Sequence, residues 1–366
     1  MKILRGIRTA AIAAALIVLL LPSQLLPVSA SPSATAPVRI GYFANITHAP
    51  ALIAKQKGFF ERQLGSTPVE YSVFGVGTAA IEALKGGALD IAYVGPNPAI
   101  SGYTTTKQTL LRVVAGATSG GAKFIVRSEL IANPGNATKA EIEGLRGRFF
   151  ATPGLGGTQD VALRSYLKAN HLSLGTKSTQ VAIAPSDNST TLTLFKKGQI
   201  DGAWVPEPWA TRLQLEGGGK LFVDEATLWQ GGAFATTNLV VSQKFLAAKP
   251  AVVRQILQAN NQAIAFLNDP RNSGAAKAIV QKELLAQTGK TLPSETIDGA
   301  WASLKFTSDP IACSLRKNFA NAVLVEALKG SATATELTGI FDLRILNALN
   351  RESNLTTVSA AGLGKE

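Results

Sequence analysis

A chain of 366 residues, 46% hydrophobic and 16% charged, is long enough for two domains with sizeable cores and too apolar to be disordered. The formal net charge is +12, but the basic residues are scattered and not interleaved with aromatics, which argues against nucleic acid and for a surface that attracts small anions. A single cysteine, Cys313, excludes an intramolecular disulfide. Two histidines, His48 and His171, without an acid or cysteine cluster leave no metal centre, cofactor or hydrolytic triad to expect.

Lys2, Arg5 and Arg8 precede an apolar run from Ala10 to Leu21, too short to span a membrane comfortably. Pro22 and Pro27 break that run, and Val28-Ser29-Ala30 offers the small residues a signal peptidase reads. Residues 1–30 are therefore expected to be a cleaved signal peptide. An exported chain without disulfides suits a bacterial periplasm.

Val38 to Phe43 reads as the first strand, and Pro50 as the opening of a helix with Ile53, Phe60 and Leu64 on one face. Val69 to Phe74 is a second strand, turned by Gly75-Val76-Gly77-Thr78 into a helix over Ala79 to Lys85. Leu89 to Val94 is a short buried strand, and Gly95-Pro96-Asn97-Pro98 opens another helix. A strand over Leu110 to Ala117 leads to the extended run Lys123 to Arg127, near which the chain is expected to cross into a second lobe. There Arg148 to Thr152 is a strand, and the glycine run ending at Gly157 leads into a helix with Thr158 as its N-cap. Phe234 to Ser242 is the return strand, and Pro250 to Asn268 an amphipathic helix with Val253, Ile256, Leu257, Ile264 and Leu267 on one side. Helices follow to Asn350, and residues 351–366 read as a flexible tail.

GQIDGAWVPEPWA, from Gly198, echoes GGALDIAYVGPNPA, from Gly86, with Asp201 facing Asp90 and Trp204 facing Tyr93. Each stretch follows a helix and forms a short strand with a loop, as two lobes of similar build would require. Strands alternating with helices predict mainly parallel sheets, which bind ligands in the loops at the carboxyl ends of strands. Those loops precede helix N-termini, whose open N–H groups and dipole favour anions. Here they are Asn45 to His48, Gly75 to Thr78, Gly95 to Asn97, Gly156 to Gln159 and Asp187 to Ser189, rich in Gly, Thr, Ser and Asn rather than Lys and Arg.

At RIGYFANITHAPALIAKQKGFFE, GTAAIEALKGGALDIAYVGPNPAI, GLGGTQDVALRSYLKAN and DNSTTLTLFKKGQIDGAWVPEPWATR the chain resembles substrate-binding proteins of ABC importers, in the nitrate, sulfonate and taurine group. The resemblance covers roughly Val38 to Asn268. It implies an α/β, two-lobed periplasmic binding protein fold of type II with a hinged ligand cleft. Lobe I would hold residues 38–120 and 240–350, and lobe II residues 125–235. The implied function is non-enzymatic: a monomer captures a small sulfonate-type anion and delivers it to an ABC permease and its ATPase in the inner membrane. A same-fold receptor for a cationic or heteroaromatic solute, such as a thiamine-pyrimidine precursor, is the alternative.

The expected ligand-binding residues are Asn45, His48, Gly77, Thr78, Gly95, Asn97, Gly157, Thr158, Gln159, Trp204, Glu207 and Asn238. The hydroxyls of Thr78 and Thr158, with the N–H groups that follow them, are expected to hold an oxyanion from opposite sides. Trp204 is read as an aromatic wall of the cleft. Glu207, kept out of a helix interior by Pro208, is read as a carboxylate at the rim that would welcome an ammonium group. Asp90 and Asp201 fit turn or cap roles better than ligand contact.

Overall fold

In the computed structural model the described residues are 36–328 and 334–366. The expected signal peptide lies outside them. Among the described residues no helix is long and apolar enough to cross a membrane.

Thirteen strands form two sheets: β1 Val38–Phe43, β2 Val69–Phe74, β3 Ile91–Val94, β4 Leu111–Gly120, β5 Ala122–Val126, β6 Phe149–Thr152, β7 Ala182–Pro185, β8 Gly202–Pro206, β9 Lys220–Asp224, β10 Ala235–Ser242, β11 Leu304–Phe306, β12 Phe341–Asp342 and β13 Gly364–Lys365. The first sheet runs β13-β12-β4-β10-β3-β1-β2, with β11 beside β4, and the second runs β7-β6-β8-β5-β9. The chain leaves the first sheet at Gly120, enters the second at Ala122 and returns between Asp224 and Ala235.

Both sheets are mixed rather than mainly parallel. The strands joined through helices, β1 with β2 and β3, and β6 with β7 and β8, pair in parallel. The strands that carry the chain between sheets pair antiparallel: β10 with β3 and β4, and β5 with β8 and β9. A strand reached directly from the other sheet needs no crossover helix, so nothing forces it to run parallel.

The echoed sequences do the same work in each sheet. The Asp90 carboxylate accepts from the Arg39 backbone N–H at 3.0 Å, and Asp201 accepts from the Phe149 N–H at 2.8 Å. In return the Asp90 and Asp201 N–H groups donate to the Arg39 and Phe149 carbonyls. Each aspartate therefore fixes the strand after a helix to its parallel neighbour, β3 to β1 and β8 to β6. Tyr93 and Trp204 also correspond: both are fully buried, and each satisfies its polar tip internally, on Asn260 at 2.9 Å and on Glu225 at 2.7 Å.

Three expectations are corrected. The helix expected over Pro50 to Leu64 is two, Ala49–Gln56 and Phe59–Leu64, because Gly58 between them adopts the left-handed conformation at φ 63°. Residues 351–366 are not a frayed tail: Ala360 and Leu363 are buried, and Gly364–Lys365 pairs in parallel with Phe341–Asp342. The helical run expected from Gly274 to Asn350 contains the strand Leu304–Phe306, which is too short to leave a periodic signal.

Candidate functional site

Three helices begin at one cavity between the two sheets: Gly77–Lys85, Pro96–Thr105 and Thr158–Ala169. Their N-caps are Val76, Gly95 and Gly157, and none makes a side-chain capping bond. First-turn N–H groups have no partner inside their own helix, so those of the helices that start at Gly77 and Thr158 are left for a ligand. The helix that starts at Pro96 contributes its dipole only, since Pro96 and Pro98 lack an N–H and the Asn97 N–H donates to Thr158. The helix Asn188–Lys196 differs, since its N-cap Asp187 accepts from Ser189 and Thr190 N–H, both at 3.0 Å. Thr158 is the first helical residue rather than the N-cap. Its Oγ1 accepts from the Asn97 N–H at 3.4 Å, across the cleft.

The cavity encloses about 60 Å³, room for about four to six waters. Asn45, His48, Gly77, Thr78, Gly95, Gly157, Thr158 and Gln159 line it, drawn from four of the five loops singled out in the sequence. The fifth loop contributes Asn188, and Phe43, Pro98, Leu155 and Thr236 also form walls. No Asp, Glu, Lys or Arg is among the described residues lining it. Glycine is required where backbones meet: a Cβ on Gly77 would lie 2.5 Å from Pro98 Cγ, and one on Gly95 would lie 2.5 Å from Thr158 Oγ1.

His48 packs against Phe43 with its ring tilted by 45° and the ring centroids 4.7 Å apart. Burial pushes its pKa down to about 3, so the ring is neutral and offers one donor and one acceptor. Its Nδ1 and the Oδ1 of Asn188 are buried at the cavity wall without hydrogen-bond partners. The Asn188 oxygen only accepts and calls for a donor on the solute, whereas a neutral His48 can present Nδ1 as either donor or acceptor.

Four expected residues are elsewhere. Asn97 sits at the rim with its backbone facing Thr158, and its side-chain amide donates to the Asn318 carbonyl at 3.2 Å. Asn238 is fully buried in the first sheet and does not reach the cavity. Register shifts on either side of Thr237 break the alternation of β10, so Thr236 faces the solute site and the Thr237 hydroxyl donates to the Thr47 carbonyl. Glu207 is also fully buried. Its Oε1 accepts from Lys123 Nζ at 2.8 Å and its Oε2 from the Thr211 N–H at 3.0 Å, so it is not a rim carboxylate.

Trp204 is not a cleft wall either. It stacks on Phe124 at 5.6 Å inside the second lobe's aromatic core, and its indole N–H donates to Glu225. Burial raises the Glu225 carboxyl to about pKa 7, opposed by the Trp204 and Trp229 indoles and Lys317, with Asp224 adding to the rise. A carboxyl with a raised folded pKa adds stability that is full below its unfolded value and is lost as pH climbs through the folded one. Stability should therefore fall by about 1–3 kcal/mol between about pH 5 and pH 7. Glu225→Gln should flatten that decline, as read from thermal melts across pH. An unchanged slope in the variant would contradict this assignment.

The chain matches the NMT1-like family over residues 31–281. The taurine-binding periplasmic protein of Escherichia coli strain K12 is 28% identical over 207 residues, 56% of this chain. The match spans 59% of that relative's length. The alkanesulfonate-binding protein SsuA from Xanthomonas axonopodis pv. citri, bound to MOPS, superposes with a TM-score of 0.64 at 22% identity, covering 81% of this chain and 94% of that one. The periplasmic nitrate-binding protein NrtA from Synechocystis PCC 6803 gives 0.68 at 18% identity, covering 84% and 85%. At these identities the structures speak for the fold, that of the two-lobed periplasmic binding proteins, and the named relatives are binding proteins. With that fold and a family match running from residue 31 to residue 281, the chain belongs to the NMT1-like family.

Proposed function

We propose that this protein is the extracytoplasmic solute-binding component of an ABC importer, and that it captures a small solute through a singly charged oxyanion group, of the alkanesulfonate, taurine or nitrate type. One observation carries the reading: three helix N-termini, two of them with open first-turn N–H groups, meet at a cavity whose described lining has no charged side chain. Each terminus acts as roughly half a positive charge, which balances a monoanion without a cation. A neutral His48 and the hydroxyls of Thr78 and Thr158 supply further donors. In this reading residues 38–120 and those from 240 onward move as one lobe and 125–235 as the other. The exported, monomeric protein closes on the solute and passes it to a membrane permease driven by its ATPase. A cationic solute is the poorer match, because the Glu207 carboxylate that would attract it is bound to Lys123.

Thr158→Val tests the reading, since it keeps the side chain's shape and removes its hydroxyl. A hydrogen bond to a charged acceptor contributes about 1.5–3 kcal/mol, so affinity for taurine or methanesulfonate should fall at least about tenfold. Thr158 Oγ1 does not cap its own helix, and the one backbone bond it accepts, from the Asn97 N–H, is long at 3.4 Å, so the melting temperature should stay near that of the parent. Undiminished affinity in both Thr158→Val and Thr78→Val would remove the helix-terminus site.

A further inference from the structure

Outside the cavity lies a groove of about 450 Å³ that shares Phe43, Asn45, Gly75 and Asn188 with it as walls. Phe74, Leu192 and Trp209 give the groove an apolar side, and Lys196 and Lys290 stand at it. Of the four shared residues, Asn45 is the one held by a side-chain bond to a residue that lines the groove alone. Its Oδ1 accepts from the indole N–H of Trp209 at 2.8 Å, a bond joining the loop after β1 to the helix after β8. Trp209 is itself held: it is buried, and the Arg212 guanidinium lies over its ring at 4.7 Å while pairing with Glu216 at 2.5 Å. A short polar side chain clamped by a fixed indole makes a rigid partition.

We infer that the Asn45–Trp209 bond sets the length of solute this protein accepts, by holding Asn45 across the passage from the small cavity to the apolar groove. The inference rests on the oxyanion reading above and adds to it that the solute must be compact. An anionic head with no more than a short substituent fills about 60 Å³. A long alkyl tail can be housed only in the groove, and it reaches the groove only if Asn45 swings aside. Trp209 touches the groove and not the cavity, so it acts as a positioning residue for Asn45.

The test compares methanesulfonate with octanesulfonate by calorimetry. The parent should bind octanesulfonate at least about tenfold more weakly, against the trend that added methylenes otherwise strengthen binding. Trp209→Phe keeps a ring in the core and removes the N–H that holds Asn45. It should shift the octanesulfonate-to-methanesulfonate affinity ratio at least about tenfold towards the longer solute. Asn45→Ala breaks the partition from the other side and carries the same expectation, so neither variant's folding alone decides the outcome. A general structural role for Trp209 would weaken both solutes alike and leave the ratio where it was. Equal binding of both sulfonates by the parent, or an unchanged ratio in the two variants, overturns the inference and leaves the oxyanion reading standing. Failure of the parent to bind either sulfonate or nitrate removes that reading and this inference with it.

Discussion

Gly95→Ala should melt at the parent's temperature and yet bind its solute about ten- to a hundredfold more weakly. Gly95 has φ −67° and ψ 158°, a conformation alanine adopts freely. Within its own lobe the new Cβ would meet only the Thr236 carbonyl oxygen, at an ordinary 3.6 Å. Across the cleft it would lie 2.5 Å from Thr158 Oγ1 and 3.5 Å from Thr158 Cβ. Of the threonine's two other rotamers, one puts its methyl in the hydroxyl's place, so only one relieves the overlap. Under the proposed closing of two lobes the overlap exists only in the closed state, so the open protein should pay nothing for it. Overpacking of this kind costs about 1–3 kcal/mol. In a double-mutant cycle, adding Thr158→Ala to Gly95→Ala should cost less than Thr158→Ala alone, because it removes the clashing atoms. Parent-like affinity in Gly95→Ala would mean that the solute is bound without this approach of the two lobes.

Lys123→Met should destabilise the protein by about 3–5 kcal/mol, the usual result of stranding one half of a buried ion pair. Lys123 opens β5 just after the chain crosses between sheets, and the Glu207 carboxylate it meets is fully buried. Methionine replaces the stem of the lysine but leaves Glu207 with only Ser303 and the Thr211 N–H as partners. Glu207→Gln in the same background should recover part of the loss, since it removes the stranded charge. Chemical denaturation reads both values. A loss below about 1 kcal/mol in Lys123→Met would show that water reaches the pair and that it behaves as a surface bridge.

The sequence was most legible where one physical rule governed a segment. Val38–Phe43, Val69–Phe74 and Pro250–Asn268 begin and end where their patterns do, because a run of apolar residues between turn signals leaves little choice of boundary. The loops that meet at the cavity were legible too, since strand, small polar residues and helix occur in that order in each half. What failed was the direction of individual side chains. β8 is buried along its whole length, so both of its faces are apolar and alternation cannot separate core from cleft. Trp204 and Glu207 were misread for that reason. β10 failed differently: its register shifts let Thr236 face the cavity although Thr237 and Asn238 interrupt the apolar run just as visibly. The tail was misread because its buried residues, Ala360 and Leu363, lie in a short stretch with glycines on both sides of the leucine, a pattern that locally resembles a loose end.

The most direct measurement of the central claim is calorimetric titration of the purified protein with taurine, methanesulfonate and nitrate, with an organic cation lacking any anionic group as the contrast. The helix termini, the neutral His48 and the hydroxyls around the cavity predict one-to-one binding of at least one of these anions, with a Kd of about micromolar or tighter, and no heat from the cation. Binding of the cation with silence from all three anions would contradict the account.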